Sequence, residues 1–210
     1  MRFRDRREAG QLLAERLQFL QGRENLLVLG IPRGGVVVAA EVARALNAPL
    51  DVFIARKLGA PHNPELAVGA VASSGKVVLD EHLIAALRVP ESYLEAEIER
   101  QRAEIQRRMR AYRGSRPPPD FKDKIVILTD DGVATGATMR AAIQALKETD
   151  LQELIVALPV GPPDTVQELA NMVDRMVCLH TPAFFWAVGG FYEDFSQTSD
   201  QEVIRLLQGG

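Results

Sequence analysis

The adjacent carboxylates Asp130 and Asp131 close an apolar run, Ile125-Val126-Ile127-Leu128-Thr129, and open a stretch of small residues that reaches Thr138. Two carboxylates side by side can accept hydrogen bonds from a vicinal diol, and they suit a Mg²⁺ ion bound largely through water. Ala134, Thr135, Gly136, Ala137 and Thr138 add compact side chains and free backbone N–H groups where a helix begins. A phosphate needs that combination: several convergent donors, no bulk in the way, and the positive end of a helix dipole. Either half alone reads as an acidic loop or a threonine-capped helix. At this spacing the two halves together point to a ligand that carries both a diol and a phosphate. The run is neither a Walker A loop, which needs Gly-Lys-Ser/Thr, nor a G-x-G-x-x-G dinucleotide turn. As strand-end acids, Asp130 and Asp131 are expected to be unburied and without ionic partners.

Two further loops carry cations. Gly30-Ile31-Pro32-Arg33-Gly34-Gly35 has glycines that let the backbone approach a ligand, and Arg33 supplies a fixed positive charge. Arg56-Lys57-Leu58-Gly59-Ala60-Pro61 puts adjacent cations just past another apolar run, where they could neutralise an anion. Glu65, a little further on, reads equally well as functional or as a surface charge. His62 lies in this loop and His180 ends an apolar run; a solvated or merely satisfied histidine is the simpler reading for both. His82 carries no signal, and no histidine pair has metal-ligand spacing. The tail from Thr181 to Tyr192 gathers Phe184, Phe185 and Trp186 in a chain with only 6% aromatics. Such rings can stack on a planar base or pack into the core against the first helix, and both readings stay open.

These loops need strands and helices to hold them. Leu26-Leu27-Val28-Leu29, Val52-Phe53-Ile54-Ala55, Ile125-Val126-Ile127-Leu128, Leu154-Ile155-Val156-Ala157-Leu158 and Met176-Val177-Cys178-Leu179 are short, almost wholly apolar runs. They alternate with helical periods, the pattern of a parallel sheet covered on both faces. A first helix capped by Asp5 runs to about Gln21, with Leu12, Leu13, Leu17 and Leu20 as its stripe, and a second begins near Gly35. Two segments interrupt the alternation. Residues 67–71 and 76–79 flank Ser73-Ser74-Gly75 as a β-hairpin. A long helix from about Pro90 to Tyr112 follows, with the pairs Glu97–Arg100, Glu99–Arg102 and Glu104–Arg108 available on its surface. Arg116-Pro117-Pro118-Pro119 is a stiff return to the sheet.

The 210 residues suit one α/β domain, 1–210, with an insertion at about 67–119. A net charge of −3 argues against a bulk nucleic-acid-binding surface, which is normally strongly basic, and leaves room for a local basic site that binds an anionic ligand. The single cysteine, Cys178, excludes an intramolecular disulfide and reads as a small core residue. No apolar signal core follows the charged N-terminus and no apolar stretch reaches membrane-spanning length, so the expectation is a cytoplasmic protein without a membrane partner. The long amphipathic helix makes a homodimer plausible.

The run from Ile125 to Thr138 resembles the signature motif of type I phosphoribosyltransferases: an apolar strand, two acids, a short mostly apolar stretch, then Thr-Gly with a hydroxyl residue nearby. The likeness extends from about Leu26 to Cys178, is sharp only at the loops, and is closest to a bacterial group of such enzymes whose acceptor is not settled. It implies an α/β fold with a parallel-sheet, Rossmann-like core, a helical and hairpin insertion, and a terminal hood built from 1–22 and 181–210. It implies 5-phosphoribosyl-1-pyrophosphate as substrate with Mg²⁺ as cofactor. Asp130 and Asp131 would hold the ribose hydroxyls and, through water, the metal; Ala134, Thr135, Gly136, Ala137 and Thr138 would cradle the 5-phosphate. Arg33, Gly34 and Gly35 resemble the family's pyrophosphate loop, often Arg-Gly with an unusual peptide geometry. Arg56 and Lys57 resemble the start of its flexible catalytic loop, although the continuation His62-Asn63-Pro64-Glu65 is short. Phe184, Phe185 and Trp186 would meet an acceptor base under the hood. The alternatives are a regulator that binds phosphoribosyl pyrophosphate without transferring it, and a hydrolase using Asp130 as nucleophile.

Overall fold

The computed structural model describes residues 1–209. In chain order its elements are α1 (Arg6–Arg16), a short 3₁₀ turn (Gln18–Leu20), β1 (Leu26–Gly30), α2 (Gly34–Leu46), β2 (Leu50–Val52), β3 (Ala55–Ala60), β4 (Asn63–Ala72) and β5 (Val77–Leu79). Then follow α3 (Glu81–Leu87), α4 (Glu91–Arg113), β6 (Ile125–Thr129), α5 (Ala137–Leu146), β7 (Glu153–Val160), α6 (Pro163–Ala170), β8 (Arg175–His180), a second 3₁₀ turn (Val188–Phe191) and α7 (Asp200–Leu207). Asp5 caps α1 by accepting from the Glu8 backbone N–H. The expected helix to Gln21 is shorter, because Leu17 leaves the α region and the chain tightens into the 3₁₀ turn.

Five strands form a parallel sheet in the order β2-β1-β6-β7-β8. The continuous apolar runs are explained by burial on both faces, since successive side chains alternate. Leu27, Leu29, Val126, Leu128, Val156 and Leu158 pack with α5 on one side. Leu26, Val28, Ile125, Ile127, Ile155 and Ala157 pack with α1 and α2 on the other.

The run Val52 to Ala55 is not one strand. β2 stops at Val52, buried Phe53 and Ile54 cross over, and β3 opens a separate antiparallel sheet of order β3-β4-β5. The expected hairpin is therefore two strands of a three-stranded sheet, with Ala70 paired to Val78 in β5 and to Lys57 in β3. Its tight turn is closed at Ala72 and Gly75. The long helix α4 forms as expected, with all three expected acid–base pairs made. It packs on this small sheet and on α7 through Leu94, Ile105 and Tyr112. At its C-terminus Arg113 forks onto both oxygens of buried Asp51 at 2.8 and 3.0 Å, which anchors α4 to β2. Among the described residues no helix is long and apolar enough to cross a membrane.

Candidate active site

The order β2-β1-β6 places a reversal between β1 and β6: the chain leaves β1 toward one edge and returns at β6 to build toward the other. Open α/β sheets bind ligands at such a point, beyond the strands' C-terminal ends, where the two departing loops leave a crevice. The loops here are Ile31–Arg33 after β1 and Asp130–Gly136 after β6. The first is tied to the end of β6, where the second begins: the Ile31 N–H donates to Thr129 O at 3.1 Å. A Cβ added at Gly35 would sit 2.9 Å from both Cα and Oδ1 of Asp130, and one added at Gly34 would collide with Asp131 Oδ2. Glycine at these positions is thus required by the acid pair lying against the backbone.

Asp130 and Asp131 stand at the end of β6 as the sequence suggests, but they are neither free nor equivalent. Asp131 Oδ2 accepts from Arg6 Nε of α1 at 2.9 Å, with both side chains largely buried, at 15% and 12% exposed. Its carbonyl accepts from the Tyr192 hydroxyl at 2.7 Å. Asp130 faces no cation of its own; burial, then the neighbouring Asp131 charge, pushes its carboxyl well above the usual range. The expectation of unpaired strand-end acids fails because α1 and the C-terminal tail fold back over this loop. The Asp131 N–H donates to Asp130 Oδ1 at 2.8 Å, which sets the angle between the two carboxylates.

The small residues follow as a turn into α5. Gly136 has φ 79°, a left-handed conformation for which glycine is suited, and no side chain caps the helix firmly. Thr135 Oγ1 reaches the Ala137 N–H only at 3.4 Å. Ala134, Thr135, Ala137 and Thr138 are exposed, so the first-turn N–H groups of α5 face outward as an anion site would require. Ala137 and Thr138 also line a cavity of about 420 Å³ whose far wall carries Arg56, Lys57, Glu97 and Gln101.

Arg56 and Lys57 lie inside β3 rather than in a loop, because their backbone is laddered to Val71 and Ala70 of β4. Arg56 Nε donates to Gln101 Oε1 of α4 at 2.5 Å, and Lys57 Nζ pairs with Glu65 at 3.0 Å. The loop expected to be flexible is a hairpin turn at Pro61-His62, with exposed His62 at φ 65°. The structure brings Arg56 and Lys57 to the α5 N-terminus but turns the Arg33 side chain elsewhere. Arg33 ends 3.7 Å from Asp200, in a separate cavity shared with Arg107, Arg108 and Tyr112. The Pro32–Arg33 peptide is cis, an unusual geometry of the kind expected at this loop.

The aromatic tail is split. Phe185 stacks on Phe191 with ring centroids 5.3 Å apart, whereas Phe184 and Trp186 are 86% and 94% exposed. His180 meets Phe191 edge-on, and burial lowers its pKa. Burial pushes the Cys178 thiol up to about 11, in keeping with a core role. The tail crosses the acid loop at Val188, which packs where a Gly132 side chain would go. It then joins the N-terminus, with Phe3 and Tyr192 bridged and mutually buried.

Four residues around the site were not identified as site residues from the sequence: Arg6, Tyr192, Glu97 and Gln101. Arg6 and Tyr192 lie 125 and 61 residues from Asp131. Tyr192 carried a signal that could have singled it out, as the last ring of the aromatic tail. Among the described residues no cluster of three or more His, Cys, Asp or Glu side chains could cage a metal. Asp131 commits one oxygen to Arg6, which leaves its other oxygen and Asp130 to hold Mg²⁺ through water, an ion that takes one or two protein carboxylates and completes its shell with water and substrate phosphates.

Residues 6–196 match the phosphoribosyl transferase domain family. A Mycobacterium tuberculosis protein provisionally named phosphoribosyl transferase Rv0571c is 44% identical over 205 residues, covering 98% of this chain and 46% of that protein. The chain thus spans about half the length of that relative. The Deinococcus radiodurans protein named Bifunctional protein PyrR is 31% identical over 150 residues, 69% of this chain and 73% of that protein. The crystal structure of TT1426 from Thermus thermophilus is similar at a TM-score of 0.90 with 47% identity, covering 100% of this chain and 99% of that one.

Proposed function

The chain belongs to the phosphoribosyl transferase domain family, and from that premise we propose that it transfers the phosphoribosyl group of 5-phosphoribosyl-1-pyrophosphate to a base nitrogen. The observation that carries this reading is a single strand-end loop that holds an acid pair and runs into an uncapped helix N-terminus, whose residues Ala137 and Thr138 face Arg56 and Lys57 across a cavity. Each matches one part of such a substrate: the acids its ribose diol, the helix start its 5-phosphate, the cations its pyrophosphate.

In the proposed reaction the base nitrogen bonds to the anomeric carbon as the bond from that carbon to pyrophosphate oxygen breaks. The nitrogen's proton leaves to water, and pyrophosphate departs with the bonding electrons. The route is oxocarbenium-like, so the chain's task is to position the sugar and stabilise charge on the leaving group. Ala134 to Thr138 would anchor the 5-phosphate and fix the ribose over Asp130 and Asp131. The carboxylates would accept from its hydroxyls and balance positive charge developing on the ring. Arg56 and Lys57 would receive the pyrophosphate, and Gly34 and Gly35 would let the backbone of their loop approach it. Mg²⁺, held through water by Asp130 and Asp131, would screen the phosphates' negative charge. Phe184 and Trp186, being exposed, are free to meet the acceptor base, and the joined chain termini would form the hood. A base panel incubated with phosphoribosyl pyrophosphate and Mg²⁺ tests the proposal. Pyrophosphate release that depends on one base is expected; tight substrate binding with no release under any base would leave a ligand-sensing role instead.

A further inference from the structure

Arg56 enters the cavity with one hydrogen already committed, its Nε–H to Gln101 Oε1. Gln101 in turn donates from Nε2 to Glu97 Oε1, one turn earlier on α4, at 3.0 Å. The amide is therefore held at both ends by partners that admit one orientation. A guanidinium can only donate, so it takes the amide oxygen; an ionised carboxylate can only accept, so it takes the amide NH₂. Glu97 is 6% exposed, and its other oxygen accepts from Arg100 at the cavity's rim. A buried carboxylate is a costly way to pack a helix, and an apolar side chain there would serve packing better. The cost is explained if the carboxylate fixes something else.

Resting on the function proposed above, we propose that Gln101 and Glu97 are positioning residues for Arg56. They form a relay in the inserted helix that holds the guanidinium's remaining donors toward the pyrophosphate end of the substrate. The relay gives the insertion a role in the reaction: α4 builds the wall that sets the cation's angle. Lys57 has no comparable support, since its partner Glu65 is 88% exposed in the hairpin. Arg56 is thus the preorganised cation of the pair and Lys57 the adjustable one.

The test is a double-mutant cycle on the full chain, read by calorimetric binding of inorganic pyrophosphate with Mg²⁺, with melting curves for each variant. Alanine is a good helix former, so Gln101→Ala keeps α4 folded. Gln101→Ala is expected to weaken pyrophosphate binding about fivefold to tenfold, as coupled neighbours do. In an Arg56→Ala background the same change should cost less than about twofold, because the residue it orients is gone. Glu97→Gln, which keeps an acceptor for the Gln101 amide, should lose less than Glu97→Ala. An equal loss from Gln101→Ala with and without Arg56, or no loss in either background, overturns the relay while leaving the proposed reaction standing. A wild-type chain that binds no pyrophosphate overturns the reading of the cavity itself, and the relay with it.

Discussion

The loop from Thr129 to Thr138 is gripped from several sides, whereas the cations of β3 meet their surroundings through side chains on the separate three-stranded sheet. Gly35 presses on Asp130, Arg6 pairs with Asp131, Tyr192 holds the Asp131 carbonyl and the Val133 N–H donates to Val160 O. Lys57, by contrast, is held only by exposed Glu65, through its carboxylate and its backbone carbonyl, and Arg56 by the Gln101 amide. The difference follows from the work proposed for each half. A sugar phosphate must be located before reaction, so its groups are fixed by packing. Charge on a leaving group grows during reaction, so beside the preorganised Arg56 a cation such as Lys57 gains from being able to follow it.

The rigid half should break most severely when its close approach is filled. Gly35→Ala sets a methyl against the Asp130 backbone, and overpacking of this kind costs roughly 1–3 kcal/mol. Melting should fall by roughly 2–4 °C per kcal/mol at this chain length, and phosphoribosyl pyrophosphate binding should be lost in the folded fraction. A variant with wild-type melting and affinity would show that the loops do not need to touch.

Next in size is the acid pair. Asp130→Asn with Asp131→Asn should weaken binding of phosphoribosyl pyrophosphate with Mg²⁺ by at least about 1.4 kcal/mol, a factor of ten. Unchanged calorimetric affinity would rule out the assigned role. The single change Asp130→Asn separates binding from stability. The raised pKa of Asp130 means that the native state holds its proton after the unfolded state has released it. Its contribution to stability therefore falls as pH rises from near 4 through the folded pKa, and the penalty is complete above it. The variant lacks that penalty, so its melting temperature relative to wild type should rise from pH 4 to pH 8. A gap independent of pH would mean that Asp130 titrates normally.

For the adjustable half, Lys57→Ala should lower turnover up to about tenfold, about 1.4 kcal/mol, and weaken ground-state binding less. Its melting point should barely move, since exposed pairs contribute little. Equal losses in dissociation constant and kcat/KM, with unchanged single-turnover chemistry, would place Lys57 in substrate binding instead. The smallest effect is expected at the tail. Trp186, fully solvated, should shift its emission to the blue when a reactive base joins bound phosphoribosyl pyrophosphate, and less with phosphoribosyl pyrophosphate alone. Phe184→Ala should weaken that base by about 1 kcal/mol and spare the sugar phosphate. A flat titration with a base that demonstrably reacts would remove both rings from the site.

Much of this was legible in the sequence because it depends on near neighbours. Apolar runs such as Ile125–Leu128 imply buried parallel strands, and Asp130 to Thr138 lie on one strand–turn–helix unit whose chemistry is set by spacing alone. The pairs of α4 follow from helical period. Tertiary structure decided what distance along the chain conceals. The break at Phe53-Ile54 looked like continuous strand, because apolar residues crossing between two sheets are buried just as strand residues are. Arg33 was expected beside the other cations, but α7 supplies Asp200 and draws its side chain away. Arg6, Tyr192 and Gln101 became neighbours of Asp131 and Arg56 only when the termini and the inserted helix packed against the sheet. Local order specifies a strand end and its loop, while the partners that orient a charge come from whichever segments burial brings alongside.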